Sequence, residues 1–334
     1  MDVKFSIIIP VYNRPDEIDE LLKSLMYQDY SDDFEVIIVE DGSEISAKNA
    51  ITKYRGQLQL SYYYKENSGP GLSRNFAMQK ATGNYFIILD SDCILPPFYI
   101  TEVSKALAHT YTDAYGGPDA ADDTFTTIQK AINYSMTSFL TTGGIRGKKN
   151  SPDKFQPRSF NMGISKKAFK STKGFGSQRF GEDIDLAFRL WENGFETQLI
   201  EKALVYHKRR VDFKSFFKQT FHFGAARPIL NKQHPKTAKI TYWFPSIFII
   251  ALVGSILFSL VGIYLPLQLF VGYFLLIFTD AFFQSKNISV ALYSILTTII
   301  QFFGYGLGFL RSFFRLHLMQ KSTIDTFPEM FKSS

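Results

Sequence analysis

Between Tyr242 and Leu310 the sequence carries only two formal charges, Asp280 and Lys286. A stretch of that length has no polar face to offer water, which argues against a wholly soluble protein and divides the chain near residue 240. Upstream, charged and apolar residues are mixed, as in an ordinary aqueous domain. Within the block, segments 243–262, 266–283 and 288–310 are each long enough, or nearly so, to cross a bilayer. The short connections at 263–265 and 285–287 favour tight hairpins. Three crossings would leave Arg311, Arg315 and Lys321 on the far side, against the preference for cations on the cytoplasmic side. Two crossings plus one interfacial or re-entrant segment would keep residues 313–334 as a cytoplasmic or interfacial tail.

The formal net charge is +6, and the surplus gathers just before the apolar block. Lys202, His207, Lys208, Arg209, Arg210, Lys214 and Lys218 are followed by Arg227, Lys232, Lys236 and Lys239. This suits the anionic face of a bilayer, and no nucleic-acid motif accompanies it, so no nucleic-acid partner is expected. Cys93 is the only cysteine, which excludes an intrachain disulfide and points to a reducing compartment. The first ten residues lack the long apolar stretch of a secretory signal. The expected location is the inner (cytoplasmic) membrane, multi-pass, with the catalytic part in the cytoplasm.

Upstream of residue 240 the pattern is α/β. FSIIIPV (5–11) reads as a buried strand, and residues 16–28 as a helix, because Ile18, Leu21, Leu22 and Leu25 recur at helical spacing behind an acidic start. FEVIIV (34–39), a helix at 46–54, LQLSYYYK (58–65), a helix at 69–80 and YFIIL (85–89) continue the alternation, which calls for a mostly parallel sheet. Beyond it come helices at 99–109 and 183–193, the second stopped by Gly194, and a polar stretch at 141–157. Ligands of open α/β sheets bind at the carboxyl ends of the strands, so residues 10–14, 40–43 and 90–92 should line one cleft.

Asp90-Ser91-Asp92 closes a buried strand, where two hard oxygen ligands on one side of a turn can hold Mg²⁺ or Mn²⁺ bridging a diphosphate. Taken alone it is more often a turn or a helix cap. Glu40-Asp41-Gly42-Ser43 ends a second strand at the same edge. Glu182 and Asp183 open a helix, where they are either an ordinary acidic start or a general base.

In their order, FSIIIPVYNRPDEIDELLKSL, EVIIVEDGS, GPGLSRNFAMQKATGNYFIILDSD, FNMGISKKAFKSTKGF and GEDIDLAFRLWENGFE closely resemble glycosyltransferase family 2 over residues 3–227. The resemblance implies a GT-A, Rossmann-like catalytic domain at 1–240, with a nucleotide-binding half (1–95) and an acceptor-binding half (96–240). C-terminal transmembrane helices would follow at 241–312. It implies an inverting displacement at the anomeric carbon. Pro10, Tyr12, Asn13 and Asp41 match nucleoside positions, Arg74 a nucleotide or diphosphate contact, and Asn161 a polar position lining the sugar pocket. Asp90 matches the carboxylate near ribose and metal, and Asp92 the direct metal ligand. Asp183 matches the general base, with Glu182 beside it. His207 stands either as a third metal ligand or as a structural histidine. Gln219 and Arg227 fall where membrane-bound relatives carry an acceptor-side helix, but without the tryptophan that often follows.

The expected function is metal-dependent transfer from a nucleotide-diphospho-sugar, a UDP-sugar above all, to a lipid-linked glycan at the cytoplasmic membrane face, in cell-surface polysaccharide or glycan synthesis. Transfer to polyprenyl phosphate, making a carrier lipid, is the close alternative; a catalytically silent membrane scaffold is the distant one. A silent copy has no reason to keep Asp41, Asp90, Asp92, Glu182 and Asp183 together.

Overall fold

The computed structural model describes residues 3–120, 125–143, 154–208 and 210–331. Asp2, Arg209 of the basic run and most of the polar stretch expected at 141–157 lie outside the described residues.

The chain opens with β1 (Phe5–Val11), α1 (Pro15–Met26), β2 (Glu35–Asp41), α2 (Lys48–Thr52), β3 (Gln59–Lys65), α3 (Pro70–Lys80) and β4 (Tyr85–Leu89). This is the alternation the apolar runs predict, with boundaries moved by a residue or two. Proline at its start and Asp16 and Glu17 in its first turn open α1, and Ile18, Leu21, Leu22 and Leu25 form its buried stripe. Next come β5 (Cys93–Ile94), α4 (Tyr99–His109), β6 (Ala114–Gly116), β7 (Asp119–Ala120), α5 (Thr127–Thr137) and α6 (Phe139–Thr142). Then follow β8 (Asn161–Ser165), α7 (Lys166–Thr172), α8 (Glu182–Glu192), β9 (Thr197–Leu199), β10 (Val205–His207) and α9 (Phe213–Gln233). Gly194, at φ +78°, ends α8 as expected.

Seven strands form the main sheet in the order β3-β2-β1-β4-β8-β6-β9. All pairs are parallel except those of β8, which runs antiparallel to both β4 and β6. Period-two alternation sends Ile7 and Ile9 of β1 into one core with Leu21, Leu22 and Val103. Ile8 goes to the other face, with Ala77, Met78 and Leu186. Burial on both faces is why β1, β2 and β4 read as unbroken apolar runs. A small second sheet, β5-β10-β7, lies beyond the end of β4.

The compact units do not follow the expected boundary at 240. One holds both sheets, within 1–122 and 147–208; the other joins 123–146 to 209–330. The second unit therefore contains α5, α6 and α9 as well as α10 (Phe244–Leu260), α11 (Leu265–Ser285) and α12 (Ile288–Phe313). Three helical segments of this unit, Ile240–Leu260, Leu265–Ser285 and Ile288–Leu318, are long and apolar enough to cross a membrane. Its inner seam is built on glycine. A Cβ on Gly304 would fall 2.0 Å from Thr220 Oγ1, on Gly308 2.2 Å from the Phe221 carbonyl, and on Gly224 1.9 Å from the Tyr305 carbonyl. Only hydrogen fits there, so the α9 and α12 backbones meet directly.

Candidate active site

The loops after β1 and β2 are tied together by Asn13. Its Oδ1 accepts the backbone N–H groups of Glu44 (2.8 Å) and Ile45 (3.0 Å), and its own N–H donates to Ser43 Oγ (2.9 Å). Asn13 sits at φ +54°, a conformation asparagine tolerates better than most residues. Beside it Tyr12 is exposed and Pro10 half-buried. Asp41, the last residue of β2, is buried. It accepts from the backbone N–H groups of Ser68 (2.9 Å) and Gly69 (2.8 Å) and pairs with Lys65. Its carboxylate thus holds the loop that opens α3.

From α3, Arg74 reaches inward with 3% of its side chain exposed. One arm of the guanidinium donates to Asp90 Oδ1 (2.6 Å) and the other to Glu182 Oε1 (3.1 Å), while the Phe175 ring lies 5.2 Å from its centre. Ser159 Oγ donates to the same Glu182 oxygen at 3.4 Å. Burial, and then the adjacent Asp183, push the Glu182 carboxyl up to about 7 against the pull of Arg74. Asp183 accepts its neighbour Ile184 N–H on Oδ1 (2.8 Å), and its Oδ2 lies 3.7 Å from Arg158 Nη1.

Asp92 has different company. The small sheet pairs His207 with Cys93, which brings His207 Nε2 to 3.1 Å from Asp92 Oδ1; Arg14 pairs with Oδ2. The imidazole stacks on Phe160 with 4.6 Å between centroids, and its Nδ1 is 4.0 Å from Asp119 Oδ2. Burial alone would raise the Asp92 carboxyl, but His207 and Arg14 hold it well below the ordinary carboxylate range.

Asp92, Cys93 and His207 are a group whose ligand atoms lie close enough to share one metal ion. Asp92 Oδ1 and His207 Nδ1 are buried without a hydrogen-bond acceptor or donor that satisfies them. Two ligand atoms on adjacent corners of an octahedral ion, each about 2.1 Å from it, stand about 3 Å apart. The Asp92–His207 separation matches that; the carboxylate oxygen suits Mn²⁺ or Mg²⁺, and the imidazole nitrogen favours Mn²⁺ of the two. Burial raises the Cys93 thiol well above its ordinary value, so it stays protonated and is a poor third ligand for a hard ion. Asp90 is outside this group, engaged by Arg74.

Asn161, matched by the resemblance to a position lining the sugar pocket, is held by protein partners. It is fully buried; Tyr99 Oη donates to its Oδ1 (2.6 Å), and its Nδ2 donates to the carbonyls of Ala203 (2.7 Å) and Pro118 (3.2 Å). With every amide atom engaged by protein, it fixes the surrounding chain. Arg14 falls in the cleft-lining segment 10–14 expected from sequence, though its pairing with Asp92 was not; Lys65 and Arg158 were missed as partners. Lys65 lies at the carboxyl end of a strand, where the rule that located Asp41 and Asp92 would have found it. Arg158 precedes β8 in a segment with no periodicity to read.

Residues 6–172 match the family model for glycosyl transferase family 2. Among curated relatives matched at 36–42% identity, the chain spans only 13–16% of their length. One of these is the poly(ribitol-phosphate) beta-N-acetylglucosaminyltransferase of Staphylococcus aureus, 41% identical over 93 residues, or 27% of this chain and 16% of that protein. The GalNAc(5)-diNAcBac-PP-undecaprenol beta-1,3-glucosyltransferase of Campylobacter jejuni is 23% identical over 230 residues, 67% of this chain and 69% of that one. Among solved structures, a mannosyltransferase of Pyrobaculum calidifontis in complex with GDP-Man and Mn²⁺ is 16% identical with a TM-score of 0.58, over 93% of this chain and 88% of that one. S. aureus TarS in complex with UDP is 24% identical with a TM-score of 0.50, over 66% and 64%. These structural likenesses establish the fold.

Proposed function

Because the chain belongs to glycosyl transferase family 2 and has the GT-A fold, we propose that it moves a sugar from a UDP-sugar to a lipid-linked glycan at the cytoplasmic face of a membrane, with Mn²⁺ or Mg²⁺ bound. The observation that carries the reading is the placing of Asp92 and His207, 3.1 Å apart, at the strand edge that also gathers Arg74, Asp90, Glu182 and Asp183. The lipid-linked acceptor is supported by the undecaprenol-linked substrate named for the Campylobacter relative and by the apolar helices.

In this reading Asp92 and His207 would hold the ion, which would supply positive charge to the departing diphosphate. Pro10, Tyr12, Asn13 and Asp41 shape the nucleoside end; Asp41 does so by fixing the 66–69 loop. Arg74, buried with its fork closed on Asp90 and Glu182, positions those two carboxylates beside the diphosphate site. Asp183, steadied by Arg158, takes the proton of the acceptor hydroxyl as that oxygen bonds to the anomeric carbon. The bond from that carbon to the diphosphate oxygen breaks in the same displacement, and the configuration inverts.

A thermal-shift screen of the full chain against UDP-, GDP- and dTDP-sugars with Mn²⁺ tests the donor, since a ligand of the folded state raises the midpoint by mass action. A UDP-sugar should raise it, only with the ion present, and should then support transfer to a polyprenyl-diphosphate-linked glycan. No shift with any nucleotide-sugar, or an equal shift in Asp92→Ala, sinks the proposal.

A further inference from the structure

The three apolar helices are each long enough to cross a bilayer, yet their packing does not let all three cross in succession. Trp243, at the start of α10, packs on Phe309 and Phe313, at the end of α12, with ring centroids 4.9 and 4.7 Å apart. Three successive crossings would put those two ends on opposite faces of the membrane. Ser246 Oγ donating to the Gly306 carbonyl (3.2 Å) and Phe248 against Phe302 (4.5 Å) carry the same antiparallel contact further along both helices.

A hairpin crossing by α11 and α12 alone fails for a second reason. The polar helix α9 runs beside α12 in parallel, from Phe213 against Tyr293 to Phe221 and Ala225 against Gly308. That is fifteen residues of α12, or about 22 Å of the ~30 Å hydrocarbon core. Lys214 and Lys218 are exposed on α9 within this stretch, behind Asp212 at its N-cap. A crossing α12 would hold both ammonium groups near the bilayer centre, where charges are expelled. α5 closes the other end: Tyr134 Oη donates to Asp280 (2.6 Å), and Thr297 Oγ1 donates to the Ala131 carbonyl (3.1 Å).

On the side away from α5 and α9, α10 and α11 are bare. Of the most apolar stretch of α11 only 11% is buried, and Ile250, Leu257, Leu269, Leu275 and Leu276 are exposed. The described residues of this unit hold four carboxylates, Asp212, Asp280, Asp325 and Glu329, against twelve lysines and arginines. That balance fits an anionic lipid surface.

We infer that α10, α11 and α12 lie flat in one leaflet, with α10 and α11 against the acyl chains and α12 backed by α5 and α9, so that the chain enters the membrane from one face and leaves by the same face. This would replace the multi-pass anchor expected from hydropathy, and it keeps Arg311, Arg315 and Lys321 on the side of Lys232, Lys236 and Lys239 without any crossing.

Single cysteines placed at Val261, Lys286 and Gln320, all exposed, test it in the full chain. The native Cys93 is buried and gives little background. In sealed membrane vesicles a membrane-impermeant maleimide should treat all three alike, none reacting from the face opposite the catalytic unit. Three crossings would expose Val261→Cys and Gln320→Cys on that far face, a hairpin of α10 and α11 would expose Val261→Cys alone, and one of α11 and α12 would expose Lys286→Cys; any of these patterns overturns the inference. Spin labels at Leu269, Leu276 and Phe283 in anionic vesicles give a second measure. Equal, shallow depths are expected. A spread of about 10 Å with Leu276 deepest, as ~1.5 Å per residue along a crossing helix gives, would overturn the inference. So would labels shielded from lipid by a second copy of the chain.

Discussion

Asp92 and Glu182 are both buried carboxylates in the same site, yet they are held in opposite protonation regimes. Asp92 faces a guanidinium and an imidazole, the imidazole also lying 4.0 Å from Asp119. Glu182 shares one guanidinium with Asp90 and has Asp183 as its chain neighbour. Burial pushes both carboxyls upward, so the number of cations per acid decides the outcome. The first environment keeps an anion ready for a metal ion; the second stores a proton beside the acid proposed as base.

The most severe way to break this contrast is Asp92→Ala. Turnover should fall by about a thousandfold or more, and Mn²⁺ affinity measured by titration calorimetry should fall with it. Unchanged metal affinity would place the ion elsewhere. Asp183→Asn should also cut the rate by about 10²–10⁴-fold while leaving donor and metal binding nearly intact. Near-normal turnover there would leave the proton acceptor unassigned.

The remaining tests read stability. Arg74→Leu leaves Glu182 and Asp90 without their shared cation, and removing one partner of a buried pair costs about 3–5 kcal/mol. Denaturant titration should find that loss, and Glu182→Gln in the same chain should recover part of it. Glu182→Gln alone has the smallest effect and the most specific one. A carboxyl at about 7 in the folded chain and 4.5 when unfolded keeps a proton that the unfolded state gives up between those values. Stability is therefore complete below about pH 4.5 and declines as pH rises through 7, by an amount on the order of 3 kcal/mol. Thermal unfolding of the unsubstituted chain should show this decline relative to Glu182→Gln. Parallel curves from pH 4.5 to 8 would mean that Arg74 keeps Glu182 ionised throughout.

The strands β1, β2 and β4 were legible because their signals are local. FSIIIPV, EVIIVED and YFIIL are buried on both faces, and each ends in the residues that build the site. Asp92 with His207 was only half legible. Their sequence separation of more than a hundred residues is bridged by a two-residue and a three-residue strand, too short for any period to show. The partners of Asn161 were not legible, because a polar residue at the start of a strand looks the same whether it lines a pocket or satisfies nearby carbonyls. The compact units divide elsewhere than at residue 240 for a related reason. α5 and α9 carry lysines and look aqueous, while the glycines that fasten α9 to α12 give no hydropathy signal.

The glycine seam also limits how the chain can be divided. Because α9 meets α12 backbone to backbone, and α5 reaches the same bundle from before the polar stretch at 141–157, the two units are interleaved along the chain and are not joined end to end. Trimming at residue 240 to obtain a water-soluble enzyme would strand two helices with their mating surface uncovered. A replacement anchor grafted at that cut would have to reproduce the notches at Gly304 and Gly308 before α9 could seat. In this architecture the anchor is no interchangeable cassette.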